Sequence, residues 1–172
     1  MSPNRAAPLT IALALAGVML AAAPHPATAA CTDPPRPAVD WRSCNFDKFE
    51  LSNIDLSGAK LDRASFNRAV MKGTAFTGID GARTRFLNAD LRETSFAGAS
   101  LRYTDFTDAD LRDATFEGAD LADARFVAAD LRGANLTGAR IRGSNFYRAD
   151  LSGATWVDGA QICAENSISF CR

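Results

Sequence analysis

Large apolar residues recur in this chain every five positions, and the register never slips. Stepping by five from Phe46 to Trp156 meets 23 centres, of which 22 are apolar and Gly81 is the exception. Two positions before a centre the residue is Ala at 14 of the 23 and Thr at four more, Thr74, Thr84, Thr94 and Thr104. Two positions after a centre fall nine of the chain's twelve glycines. An amphipathic helix repeats every ~3.6 residues and a half-buried strand alternates, so a period of five needs another geometry. The centre and the small residue two before it point inward together. Gly or a polar residue carries the corner, where a left-handed backbone is cheap for Gly. Corners at each unit wind the chain into coils, which stack about 4.8 Å apart through backbone hydrogen bonds. The pattern predicts an all-β repeat solenoid over residues 46–158.

Like residues also recur twenty apart, as stacked coils with a period of twenty would place them on one face. Phe46, Phe66, Phe86, Phe106, Phe126 and Phe146 then form a column that is aromatic throughout, and Leu51, Met71, Leu91, Leu111, Leu131 and Leu151 form the next. Each buried Phe or Leu contributes roughly 1.5–3 kcal/mol, and each stacked aromatic pair adds about 0.5–1.5 kcal/mol. The interior is expected to be a filled core with no ligand cavity. Gly81 leaves one centre empty, and Ile79 stands where Ala is usual. Ile79 is expected to fill the missing volume, with a distorted coil over residues 77–85.

The units Ala89-Asp90-Leu91, Ala109-Asp110-Leu111, Ala129-Asp130-Leu131 and Ala149-Asp150-Leu151 show the recurring motif. In these units, and over residues 44–158, the chain resembles the pentapeptide-repeat proteins. The resemblance implies a right-handed quadrilateral parallel β-helix, here of about six coils. Other members of that family mimic duplex DNA with an acidic rod and protect type II topoisomerases from quinolones. The resemblance brings in that role as the alternative function.

The ends break the period. Residues 1–30 combine Arg5, an apolar run from Leu9 to Ala23 and a small-residue site at Ala27-Thr28-Ala29, which is the layout of a secretory signal peptide. Cleavage is expected near Ala29 or Ala30. Lipidation of Cys31 is disfavoured by Thr28, where a bulky aliphatic residue is required, and by the interruption at Pro24-His25-Pro26. Residues 31–45 are Pro-rich, contain Trp41 and are expected to cap the first coil. Residues 159–172, with Ile162, Ile168 and Phe170, are expected to cap the last. An even cysteine count in an exported chain suggests disulfides. Four cysteines allow three pairings. The repetitive middle holds Cys31 and Cys44 far from Cys163 and Cys171, which favours bonds within each pair. A zinc site is the weaker alternative, because no C-x-x-C spacing occurs and no histidine follows residue 30.

Charge and motifs narrow the function. Residues 46–158 carry 17 acids and 15 bases. That balance fits neither a phosphate mimic nor a nucleic-acid-binding surface. There is no His base for a catalytic triad, no phosphate loop and no dinucleotide fingerprint. No catalytic residue, cofactor or metal is expected, and the chain is expected not to be an enzyme. The paired charges that do occur follow the repeat. Asp90, Asp110, Asp130 and Asp150 form an outer column, and Arg92, Arg112 and Arg132 form a parallel one, joined by Lys72. These residues are the candidate interaction face. The expected function is an exported scaffold or interaction module, periplasmic or extracellular, with a protein partner, no nucleic acid and no stable membrane insertion after cleavage. Monomer and end-to-end dimer both remain open at this stage. The purified protein is expected to give a β-type circular dichroism spectrum; a helical one would refute the five-residue geometry.

Overall fold

The structure is a computed structural model and describes residues 31–172; the expected signal peptide lies outside the described residues. The described chain is a repetitive solenoid. The residue before each centre pairs in parallel with the residue twenty further on, from Asp40–Lys60 to Asn135–Thr155 without a gap.

Each unit has five backbone N–H groups, and the coil disposes of them in a fixed way. In the repeats around Phe66, the N–H of Phe66 donates to the Arg85 carbonyl (2.8 Å) and that of Arg68 to the Leu87 carbonyl (2.8 Å). Ser65 donates back to Cys44 (2.8 Å), and Ala69 closes the corner on Phe66 (3.1 Å). The fifth N–H, one past the centre, has no carbonyl within reach. The side chain before the centre takes it in many units: Asp55 accepts from Ser57 N–H (2.9 Å), Asp105 from Thr107 (3.0 Å) and Asn135 from Thr137 (3.0 Å). These are Asx turns, and they explain why Asp and Asn recur before the centres.

The corner itself sets the backbone. The residue two past the centre has φ between 55° and 75° in every unit from Lys48 to Gly153. That is the third position of a type II turn. Non-Gly residues there, such as Arg63, Tyr103 and Ala128, accept a strain of about 1–2 kcal/mol each. At Gly133 an added Cβ would lie 2.5 Å from the Asp113 carboxylate one coil below, so that side chain would have to move aside. At Gly58 and Gly98 the same Cβ would meet open space.

The core follows the columns. Phe46 to Phe146 stack with ring centroids 5.4 to 4.9 Å apart. Phe76, Phe96 and Phe116 form a second stack at 5.0–5.1 Å. The two stacks meet edge to face, as at Phe96–Phe106 (5.7 Å). The inward Thr hydroxyls do not break this interior. Thr74, Thr84 and Thr104 each donate to the carbonyl of the centre 23 residues earlier, at 2.6–2.9 Å. Among the described residues no buried side-chain polar atom lacks a partner.

Gly81 does not distort its coil. Asp80 pairs with both Lys60 and Ser100, so the ladder passes through unbroken. Ile79 is buried with its Cδ1 3.1 Å from where a Gly81 Cβ would stand. The expected distortion is absent because a larger residue in the small slot supplies the volume and the backbone has nothing to absorb.

The ends are closed differently. Trp41 lies in register with the Leu61 column, buried, with its ring 4.3 Å from Phe46 and its indole N–H on the Asp33 carbonyl (3.2 Å). The first coil carries Val39, Cys44, Phe49 and Ile54 in the inward slots that later hold mostly Ala or Thr. Val39 and Cys44 are buried, and Ile54 packs on the core. Cys31 bonds to Cys44 across 13 residues and Cys163 to Cys171 across 8. Loops of that size stabilise by about 2.5–3 kcal/mol each in the chain-entropy picture. The C-terminal segment doubles back: Ile162 pairs antiparallel with Thr155, and Ile168 with Asp150.

The Ile79–Gly81 exchange gives a direct test. Ile79→Ala alone should cost about 2–5 kcal/mol by opening a cavity. Gly81→Leu alone should cost about 1–3 kcal/mol by overpacking. The double variant restores the usual small–large order and should recover most of both losses, read as a favourable coupling in denaturant unfolding.

Candidate interaction surface

The outer surface is described by columns of residues twenty apart, each with its neighbours called a face and named by its first large centre: Phe46, Leu51, Leu56 and Leu61. The Leu51 face carries the Asp and Arg columns. Arg92 grips Asp90 with Nε on Oδ1 (2.8 Å) and Nη2 on Oδ2 (2.6 Å). Arg112 on Asp110 and Arg132 on Asp130 repeat those distances. Each guanidinium also approaches the carboxylate one coil on, Arg92 to Asp110 and Arg112 to Asp130 at 3.6 Å, and Arg132 to Asp150 at 3.9 Å. Lys72 turns instead to Glu93 (2.9 Å), and Asp150 accepts from Ser152. The result is a zipper of alternating charge in which like charges never stack bare.

The Arg92 hydrogen bonds hold the Asp90 carboxyl below the usual carboxylate range. At Asp130 partial burial works the other way, and the Arg132 hydrogen bonds outweigh it. Asp90, Asp110, Asp130 and Asp150 also accept the fifth N–H of their units or lie near it, at 3.0–3.3 Å. The column is therefore built first by the fold, and any recognition uses a surface that already exists. Being largely exposed, its ion pairs add little stability individually.

The other faces differ in kind. The Leu56 face is small and flat, with Gly58, Gly78, Gly98, Gly118 and Gly138 at its corners and no basic residue. On the Phe46 face Asp47 accepts from Ser65 Oγ (2.6 Å) and Asn67 N–H (2.8 Å), beside a 270 Å³ groove reaching Arg68 and Asn88. On the Leu61 face Arg140 (2.9 Å) and Arg102 (3.5 Å) converge on Asp120, and Arg83 and Arg102 flank the Tyr103 ring at 5.4 and 5.6 Å. The twenty-residue stacking gathers Arg102, Arg142 and Tyr103 with Arg140 on this face. Near-zero net charge thus conceals a lateral split. The Leu51 and Leu56 faces hold ten acids and four bases, the other two seven acids and eleven bases.

Among the described residues no cluster of His, Cys, Asp and Glu is arranged to hold a metal, and no helix is long and apolar enough to cross a membrane. What the geometry defines is a filled, disulfide-capped repeat rod whose chemistry lies on its outer faces. Two family models match it, the pentapeptide repeat region over residues 55–126 and pentapeptide repeats in 8 copies over residues 119–155. The chain belongs to the pentapeptide-repeat family. No curated protein matches the chain. Among solved structures it is similar to QnrB1, a plasmid-mediated fluoroquinolone resistance protein, at 23% identity, covering 68% of this chain and 62% of that one with a TM-score of 0.44. It is likewise similar to a pentapeptide repeat protein from the Arabidopsis thaliana thylakoid lumen, at 28% identity, 68% of each chain and a TM-score of 0.44. A third is HetL, involved in heterocyst differentiation regulation in the cyanobacterium Nostoc sp. strain PCC 7120, at 26% identity, 73% of this chain, 64% of that one and a TM-score of 0.30.

A carboxylate whose pKa is depressed on folding stabilises the protein above its unfolded value, and that contribution is lost as pH falls through the folded one. Stability should therefore be flat from about pH 8 to 5 and decline below about pH 4. The Asp90→Asn/Asp130→Asn variant should show a shallower acid decline in urea unfolding than the unmodified protein. An unchanged acid limb would show that the charge zipper makes no net contribution.

Proposed function

We propose that the protein is an exported, non-enzymatic scaffold that presents its charged Leu51 face to a protein partner in the periplasm or outside the cell. The fold proposed for it is a right-handed quadrilateral parallel β-helix of about six coils over residues 46–158. Residues 1–30 are its signal peptide, and 31–45 and 159–172 its caps. The observation that carries the reading is the filled interior: Phe66, Phe86, Phe106 and their neighbours leave no internal site, so recognition belongs to the outer faces. Membership of the pentapeptide-repeat family supports a non-catalytic role. Two disulfides support an oxidising compartment, because thiols of ordinary cytosolic proteins are kept reduced.

Within that face, Asp90, Arg92, Asp110, Arg112, Asp130, Arg132 and Asp150 are the proposed contact residues. Their regular spacing suits a partner with its own alternating charges. The DNA-mimic alternative is disfavoured by magnitude. The more acidic half of the rod has six acids in excess of bases. Duplex DNA as long as the rod, about 28 Å, carries roughly sixteen charges.

Fractionation of cells producing the full chain should recover a product beginning near Cys31, outside the cytoplasm and without free thiols. A photoactivatable side chain at position 97, on the neighbouring face, should crosslink less partner than one at position 113. The Arg92→Gln/Arg112→Gln/Arg132→Gln variant should lose the crosslink while keeping its unfolding midpoint within a few degrees. Cytoplasmic retention with four free thiols would refute export, and crosslinking indifferent to the triple variant would refute the contact face.

A further inference from the structure

Half of the solenoid's C-terminal rim is left open. In the coil below, Leu121 N–H donates to the Arg140 carbonyl (2.9 Å), Asp123 to Arg142 (3.0 Å) and Phe126 to Asn145 (2.7 Å). The carbonyls of Ala119 and Ala124 accept from Arg140 and Asn145, both at 2.9 Å. One coil later the equivalent groups are the N–H of Ile141, Gly143 and Phe146 and the C=O of Ala139 and Ser144. Among the described residues none of these five has a hydrogen-bond partner. The C-terminal segment covers the other half, where Leu151 donates to Ser167 and Cys163 to Ala154. It crosses the Leu51 and Leu56 faces and leaves the Leu61 and Phe46 faces bare at this end.

The side chains around the open edge are basic and apolar. Arg140, Arg142 and Arg148 flank it. Asp120 is already engaged by Arg140 and Arg102, whereas Arg142 and Arg148 have no carboxylate within 4.0 Å among the described residues. Ile141 is half-buried at the mouth of a 510 Å³ groove that Arg102, Asp120, Arg140 and Arg142 also line. Tyr147 is 64% exposed and Phe170 58% exposed. Ser169 ties the tail to Arg148 and Ala149, which brings Phe170 to the end of the edge.

We infer that Ala139–Phe146 is a docking edge for an acidic segment of a partner protein, taken up as one further rung that bends at the Gly143 corner as the chain's own coils do. Main-chain pairing supplies the affinity, as in other strand additions to an open edge. Three N–H groups and two carbonyls are set at rung spacing for it. Side chains along each side of a rung alternate in direction, so those turned outward stand beside Arg140 and Arg142 and are selected for negative charge. A second copy stacking end on end fits less well. Its first coil is overlain by the disulfide-bonded Cys31 segment and has Phe49 projecting 52% exposed at the rim. The edge deepens the scaffold reading but lies away from the Arg112 ladder, so the two are tested by different variants.

The test uses the full chain, oxidised and labelled with ¹⁵N, and three blocked octapeptides: alternating Glu and Val, alternating Lys and Val, and the Glu peptide N-methylated at alternate residues. The Glu peptide should shift the amide resonances of Ile141, Gly143 and Phe146 saturably and slow their hydrogen exchange. The Lys and N-methylated peptides should not. Arg140→Glu/Arg142→Glu should weaken binding by about tenfold or more, while Arg112→Gln leaves it unchanged. Arg142→Gln, which has no ion pair to lose, should weaken binding in the same direction and serves if the double variant misfolds. Absence of shifts at millimolar Glu peptide overturns the inference, as do equal shifts with the Lys peptide. Shifts that grow with protein concentration alone, with a dimer in sedimentation, overturn it in favour of a second copy.

Discussion

The axial hydrogen-bond ladder is the constraint from which everything else descends. It repeats every twenty residues, so it demands that the backbone turn at the same place in each unit. The left-handed corner satisfies that demand at Arg63, Tyr103 and Ala128 despite the strain, because a slipped corner would cost the axial hydrogen bonds around it. Once the ladder holds, side chains twenty apart have no freedom but to stack. Phe86 therefore sits between Phe66 and Phe106 at 5.3 and 5.2 Å. The core's regularity is a consequence of backbone register and reinforces it in turn.

The same geometry decides what the surface can be. The N–H past each centre points away from the next coil, so Asp or Asn before the centre becomes its acceptor. A column of carboxylates then arises whether or not anything binds there. Arg92, Arg112 and Arg132 neutralise that column by bridging within and between coils. Charge composition alone hides the outcome, because acids and bases fall on different sides of the rod.

Much of the repetitive fold was legible in the sequence, and the period of five was the signal. Phe columns, the inward Ala and Thr, the compensation between Ile79 and Gly81 and the disulfide pairs all follow from counting positions. The ends were harder. Trp41 continues the frame, but Val39, Cys44, Phe49 and Ile54 replace the small inward residues, and the pattern that marks a unit is lost where the coil must close its own end. The antiparallel return of Ile162 and Ile168 carries no periodic signature. The Asp and Arg columns could be placed from spacing; their bidentate grip depends on where one N–H points, which spacing does not encode. The bare half of the C-terminal rim is invisible for a similar reason, since it depends on which faces a non-repeating tail crosses.

Hydrogen bonds within the rod link residues no more than 23 apart in the chain. Among the described residues no hydrogen bond, ion pair or disulfide ties the first coil directly to the last, and the two disulfides lock opposite ends separately. Such a molecule responds to tension between its termini like a wound spring with crimped ends. Once a crimp yields, coils peel away in succession, each releasing about 70 Å of extended chain. Extension would therefore proceed in a series of equal steps, one per coil.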